Sequence, residues 1–394
     1  MDTARASETE DGARARTPFL SGLRVRDVRT YAASDVALGP GLTVIYGPNG
    51  AGKTNLLEAA YLACTGRSFR QAGDQEIVHR GAEAAHVTAE VTTAHGTSSL
   101  TVGIEPGERR RLRVDGNPVE SLLDHPARPR LSVFLPDRMV LVKGGPALRR
   151  SHVDQLVAVL RPSAAPVRRS YHEALRQRNA LLASLRARGA GVEQAVDELR
   201  PWDQAVGRSA AALTTARAEV VATINPAVTE RAEQLGLAGT LEIAYRPRSS
   251  DDADEVVVAL RERIPGDLER GFTHHGPHRD DLAVRRDGRL LHRYGSQGEQ
   301  RLALLALLLG ETDVIERSTG QRPILLLDDV MSELDVVRRT RLVDVIASRG
   351  QALVTVTEAE HVPGADDASV GLVSVVPGTA ETIRVATGLP PAGD

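Results

Sequence analysis

The chain has 394 residues, and of its 49 basic side chains only two, Lys53 and Lys143, are lysines, so 47 are arginines. With 41% hydrophobic and 26% charged residues and a net charge of −3, the composition is that of a folded chain of two or three domains, which excludes disordered and fibrous classes. No apolar run approaches the roughly 18 residues that span a bilayer, the polar N-terminus has no secretory apolar core, and a lone Cys64 excludes an internal disulfide, so a cytoplasmic location is expected.

Residues 1–20 and 378–394 lack periodicity and are expected to be flexible tails. Residues 21–146 are expected to form a first lobe, with β-type runs at LTVIY (42–46), HVTAEV (86–91) and LSVFL (131–135) and a helix over TNLLEAAYLACTG (54–66). After Gly145 the composition turns to Ala, Leu, Arg and Glu. Tyr171, Leu175, Leu182 and Leu185, then Val196, Leu199, Val206 and Leu213, recur at helical spacing on either side of the turn RGAGV (188–192). This predicts a helical arm within 147–265 that leaves the head and returns, interrupted by Pro162, Pro166 and Pro201 and therefore too broken for a long coiled coil. Strand character returns at LEIAY (241–245), and a second lobe over 266–377 holds ILLLDD (324–329) and ALVTVT (352–357). The expected fold is an α/β head of two lobes with a short helical arm inserted.

The string GPNGAGKT at 47–54 fits G-x-x-x-x-G-K-[ST], follows an apolar strand and opens a helix, which is the context a phosphate loop requires. Gly47 and Gly52 let backbone N–H groups wrap phosphates, Lys53 reaches the outer phosphates, and the Thr54 hydroxyl offers a ligand for Mg²⁺. Four aliphatic residues before Asp328 make a buried strand that ends on a second acidic partner for the metal, and Asp329 is placed to orient or deprotonate an attacking water. GSQGEQ (295–300) precedes an apolar helix and is either a second anion site or a plain helix cap; SELD (332–335) also suits a cap.

Together these strings resemble the ABC-type P-loop ATPase heads of the SMC-like family, and within it the bacterial recombination proteins. Longer strings carry the likeness: GPNGAGKTNLLEAAYLACTGRSFR (47–70), PDRMVLVKGGPALRRSHVD (136–154), GPHRDDL (276–282) and LLDDVMSELDVVRRTRL (326–342). The resemblance implies ATP and Mg²⁺ as cofactors, with ATP held by Gly47, Pro48, Asn49, Gly50, Ala51, Gly52, Lys53 and Thr54, and the metal by Thr54 and Asp328. It implies that Ser296, Gly298 and Gln300 of a second subunit cover the nucleotide, that Asp335 lies in a loop crossing this interface, and that Asp137 lies in a phosphate-sensing loop. ATP binding would then drive a head-to-tail homodimer on duplex or gapped DNA or at a single-strand/duplex junction, and weak DNA-dependent hydrolysis would release it. The implied role is loading of RecA together with RecR and RecO at the nucleoid.

The chain departs from the family pattern at His152, where an aromatic residue is expected, and at Thr30, where Asn is common. Asp329 replaces the Glu of transporter ATPases, a shorter base suited to slow turnover. The switch histidine is absent after ALVTVT, so Thr355 or Thr357 is expected near the γ-phosphate. Residues 101–200 carry 18 Lys/Arg against 11 Asp/Glu. Within them Arg109, Arg110, Arg111, Arg113, Arg168, Arg169, Arg176 and Arg178 are candidates for phosphate contacts on DNA, while 3% aromatic content argues against base stacking. Lys143 suits either a hinge at the nucleotide site or a plain surface position. His274, His275 and His278 have no cysteines nearby and read as a structural turn. Two other functions compete: a nucleotide-dependent DNA scaffold that does not hydrolyse ATP, and a transporter subunit, against which the GSQGEQ string and the short arm both speak.

Overall fold

The computed structural model describes residues 17–387, apart from Gln71, Asp124 and the side chain of Asp137. The chain divides into two compact units: one holds the chain up to Asp137, Gln234–Gly236 and the chain from Gly320, and the other holds Arg138–Glu233 and Leu237–Thr319. The three pieces expected from sequence, 21–146, 147–265 and 266–377, are thus regrouped into two. The physical reason is that the late strands complete a sheet begun by the early ones.

The first unit is built on two six-stranded sheets. Strands β1 (Phe19–Val28), β2 (Tyr31–Ala37), β4 (Ala85–Thr93), β5 (Gly96–Ile104), β6 (Arg111–Val114) and β7 (Asn117–Pro118) form an antiparallel sheet in the order β2-β1-β4-β5-β6-β7. Strands β3 (Leu42–Tyr46), β8 (Leu131–Phe134), β12 (Ile324–Leu327), β13 (Ala352–Val356), β14 (Gly371–Val376) and β15 (Thr379–Arg384) form the other, ordered β15-β14-β3-β13-β12-β8 and parallel except at the β15 edge. Strands β12 and β13 are buried throughout, as befits parallel strands covered on both faces, whereas β4 alternates buried and more exposed residues. Helix α1 (Lys53–Thr65) adds Leu56, Leu57 and Leu62 to one core with Val25, Val87 and Val102 of the antiparallel sheet and Val133, Leu326 and Leu353 of the parallel one. Cys64 is a buried member of that core.

Register then does the long-range work. Val354 pairs with both Leu327 and Val44, so β3, β12 and β13 end at one edge of the sheet. Residues 274 apart in sequence meet there, at the carboxyl ends of parallel strands where ligands bind in open α/β sheets.

The second unit contains helices α2 (Pro146–Leu160), α3 (Ala165–Ala187), α4 (Val192–Gln234), α5 (Ala253–Glu262), α6 (Ile264–Arg270) and α7 (Gln297–Thr319). Its antiparallel sheet runs β11-β10-β9, with β9 (Leu241–Arg246), β10 (Asp281–Arg286) and β11 (Arg289–Leu290). Tyr171, Ala174 and Leu175 of α3 pack on Val206, Ala210 and Leu213 of α4, and Leu182 and Leu185 pack on Ala195 and Leu199, so the expected helical hairpin forms about its turn. Helix α8 (Val336–Ala347) belongs to the first unit.

Two expectations are corrected. Pro201 does not interrupt the arm: α4 runs 43 residues with Pro201 and Pro226 inside it. A proline in a helix interior costs about 3 kcal/mol, and burial of Ala195, Leu199, Val206 and Ala210 on either side of Pro201 outweighs that. The tails are shorter than expected: Phe19 and Leu20 open β1 with Leu20 buried, and Thr379–Arg384 pairs with β14 after a turn at Gly378. Residues 1–16 and 388–394 lie outside the described residues. Among the described residues no helix is long and apolar enough to cross a membrane.

Candidate functional site

Strand β3 ends at Tyr46 and the chain turns through 47–52 into α1. Two glycines in that turn are obligatory. Gly47 has φ +156°, and a Cβ there would run into the Val375 carbonyl; Gly52 has φ +115°, and a Cβ would lie 2.7 Å from Thr30 Oγ1. Tyr31 Oη donates to the Gly52 carbonyl at 2.9 Å, pinning the start of the helix from β2. Lys53 Nζ folds back over the loop and donates to the carbonyls of Gly47 at 2.7 Å and Pro48 at 3.0 Å. Burial lowers the Lys53 ammonium below its ordinary value, against the pull of the Asp329 and Asp328 charges.

The acidic partner arrives at the end of β12. Thr54 Oγ1 donates to Asp328, 2.9 Å from each carboxylate oxygen, and Thr355 Oγ1 donates to Asp328 Oδ1 at 2.7 Å. Burial pushes the Asp328 carboxyl above its usual range, opposed by the hydrogen bonds from Thr355 and Thr54 and by the Arg70 charge. This donor set fits a small hard cation. The Thr54 hydroxyl has one proton for Asp328 and lone pairs to spare, and a carboxylate faces it across 2.9 Å. Asp329 follows with φ +49°, in the left-handed region that Asp tolerates better than most residues, and its carboxylate accepts from Ser332 Oγ at 3.1 Å.

The GSQGEQ segment lies in the second unit. Ser296 caps α7: its N–H donates to Glu299 Oε2 at 2.7 Å and its Oγ accepts from the Glu299 N–H at 3.3 Å, a reciprocal capping box. Arg286 pairs with the same Glu299. Ser296 is exposed and Gly298 partly so, but Gln300 is buried, its Nε2 donating to the carbonyls of Gly295 and Leu291. Gln300 therefore shapes the segment from within while Ser296 and Gly298 face outward. Asp335 caps α8 by accepting from the Arg338 N–H at 2.9 Å. Asp137 lies in a single 3₁₀ turn, Pro136–Met139, and its side chain is outside the described residues. Lys143 is exposed at the end of the one-turn helix Val140–Lys143.

The arginine candidates divide. Arg109, Arg111, Arg113, Arg168, Arg169 and Arg176 are exposed, with Arg111 on Glu105, Arg168 on Asp154 and Arg176 on Glu173. Arg110 is committed to Asp74 and to the Gly66 carbonyl. Arg178 is removed from the set: it is fully buried, donating to Asp203 at 2.8 Å, Asp267 at 2.9 Å and Thr273 at 2.6 Å. The histidine turn is a structural knot, with His278 Nδ1 2.6 Å from Tyr171 Oη and Nε2 3.2 Å from the Thr273 carbonyl.

Sequence reasoning passed over the support of the phosphate-loop helix. Glu58 of α1 is fully buried and held by two of the three Arg29 guanidinium nitrogens, Nε at 3.0 Å and Nη2 at 2.9 Å, while Arg70 bridges to Asn55 Oδ1 at 3.0 Å. The available signal was a lone carboxylate on the apolar face LLEAA.

The family model of the RecF/RecN/SMC N-terminal domain matches residues 19–381. The Smc head domain of Pyrococcus furiosus, solved with an extended coiled coil and bound to the C-terminal domain of ScpA, shares the fold. Its TM-score is 0.57 at 16% identity, over 93% of this chain and 96% of that one. The fold is thus a mixed α/β P-loop ATPase head of the SMC class. The chain is also 38% identical to the DNA replication and repair protein RecF of Acidothermus cellulolyticus, covering 86% of this chain and 93% of that one. The recombination mediator protein RecF solved as RecF-ATPrS superposes with a TM-score of 0.78 at 26% identity, over 94% of this chain and 99% of the other. The chain belongs to the RecF family of DNA replication and repair proteins.

Proposed function

We propose that this chain is an ATP-operated DNA clamp. ATP with Mg²⁺ binds at Gly47–Thr54 and Asp328, and the loaded site is covered by Ser296 and Gly298 of a second copy, with Asp335 in the crossing loop. Gln300 holds that covering segment in shape, and Asp137 contributes to phosphate sensing. The head-to-tail dimer so formed grips duplex or gapped DNA or a single-strand/duplex junction through exposed arginines, Arg109, Arg111, Arg113, Arg168, Arg169 and Arg176 among them. Hydrolysis assisted by Asp329 is slow and opens the dimer, and the cycle serves RecA loading with RecR and RecO.

The observation that carries this reading is the convergence of the Thr54 hydroxyl and the Asp328 carboxylate at 2.9 Å beside the glycine loop. When bound, the metal supplies charge neutralisation on the phosphates. The chain would supply the rest: Lys53 is already folded over the loop, the loop's backbone N–H groups would meet the phosphates, and Asp329 would order a water.

Sedimentation and ATPase activity with and without gapped DNA, for wild type, Lys53→Met and Ser296→Arg, test it. ATP-dependent dimers are expected in wild type alone, with nucleotide binding kept in Ser296→Arg. Dimers that persist in Ser296→Arg overturn the covering role, and dimers without turnover on any DNA replace the switch by a non-hydrolysing scaffold.

A further inference from the structure

We propose that Thr355 is a positioning residue for the candidate metal and base carboxylates, acting through one hydroxyl that serves both; this rests on the nucleotide-site reading above. Strand β12 pairs with β13 only as far as Leu327 and Val354, and beyond that point the chain leaves the sheet at the left-handed Asp329. On the β8 side the ladder survives one residue longer, with the Asp328 N–H donating to the Phe134 carbonyl at 3.0 Å. On the β13 side the Asp329 N–H donates to a side chain, Thr355 Oγ1, at 2.9 Å. The same oxygen donates its proton to Asp328 Oδ1 at 2.7 Å.

Thr355 is fully buried in the middle of the parallel sheet, paired with Ile45 of β3. A hydroxyl has one proton and can accept as well as donate. Here the proton goes to the carboxylate and a lone pair takes the N–H, so the rotamer of Asp328 and the backbone that aims Asp329 are fixed by one atom. Thr54 is the other donor to Asp328, but it stands on the phosphate-loop helix and answers to whatever the loop holds. Thr355 stands on the sheet, outside the loop. It therefore gives Asp328 a fixed reference against which the Thr54 hydroxyl is placed. Valine has the same shape and neither function: it would leave the Asp329 N–H without its acceptor and Asp328 with one donor fewer.

Purified full-length wild type, Thr355→Val, Thr355→Ser and Lys53→Met are compared in three measurements: melting temperature without nucleotide, Kd for ATP in EDTA and in a Mg²⁺ titration, and steady-state kinetics. If Thr355 positions the carboxylates, Thr355→Val keeps its EDTA Kd, needs roughly tenfold more Mg²⁺ to reach tight binding and loses kcat by a similar factor with KM little changed. Thr355→Ser restores both. Thr355→Val with a lowered melting temperature but wild-type Mg²⁺ dependence and kcat overturns the proposal, since that is the behaviour of a residue that only fills the sheet. If Thr355→Val does not fold, Thr355→Ser and Thr355→Cys decide: Cys, a weak donor and acceptor, must show the Mg²⁺ shift that Ser lacks, and equal behaviour of the two rejects the proposal. Failure of the underlying reading looks different, because wild type and Lys53→Met would then bind ATP equally poorly.

Discussion

Charge is held in two opposite ways in the molecule. In the second unit a buried arginine sits on carboxylates: Arg217 grips Asp154 with two nitrogens, at 2.8 and 3.1 Å, and Asp280 with a third at 3.0 Å, and Arg178 joins Asp203 and Asp267. In the first unit the phosphate-loop charges are held by neutral groups, Lys53 on two carbonyls and Asp328 on two threonine hydroxyls. Internal pairing leaves a charge with nothing further to do. Neutral cradles leave Lys53 and Asp328 with field to spare, which is the condition for binding an anion and a cation from outside.

The contrast can be broken at four points, from large effect to small. Arg217→Met removes the partner of two buried carboxylates and is expected to destabilise by about 3–5 kcal/mol, read as a large fall in melting temperature or a failure to fold; a fall of a degree or two would mean that the Arg217 ion pairs are not structural. Lys53→Met is expected to leave melting temperature unchanged while hydrolysis falls on the order of a hundredfold. A stability loss there instead would make Lys53 a structural residue like Arg217.

The third point is pH. Burial and the nearby Arg279 push the His278 imidazole down from 6.5 to about 4. The folded state therefore stays neutral where the unfolded chain takes up a proton, so this contribution is intact above pH 6.5 and is lost as pH falls from 6.5 toward 4. After discounting for solvent, about 2 kcal/mol is at stake. Thermal unfolding of wild type should weaken across that window more steeply than that of His278→Gln, and parallel curves would refute the assignment. The smallest effect belongs to the surface. Arg111→Ala breaks an exposed pair with Glu105 and should change stability by less than about 1 kcal/mol, while lowering DNA affinity several-fold and reducing the salt slope by about one. An unchanged slope would remove Arg111 from the DNA surface.

What was legible in the sequence follows the same division. The phosphate loop is legible because its backbone admits only glycine at Gly47 and Gly52, and β12 because a strand covered on both faces must be a continuous apolar run. Ser296 and Asp335 were legible as helix caps, a role both fill. Arg178 was misplaced because burial depends on partners 25 and 89 residues away that no local pattern announces. The continuity of α4 through Pro201 was hidden for a like reason, since tertiary packing overrides a local penalty. The edge strand β15, TAETIR, alternates too weakly to stand out and is defined by its neighbour β14. Thr355 and Thr357 were singled out as alternatives near the γ-phosphate, and the link of Thr355 to Asp328 and Asp329 appears only once β12 and β13 are side by side.

The central claim is that the neutral cradle around Lys53 and Asp328 binds Mg²⁺ and ATP. Calorimetric titration of ATP into the full chain, with Mg²⁺ and with EDTA, for wild type and Lys53→Met, tests it most directly. Saturable binding that Mg²⁺ tightens in wild type and that is lost in Lys53→Met is the predicted result; binding of equal strength in both proteins, or none in wild type, would contradict it.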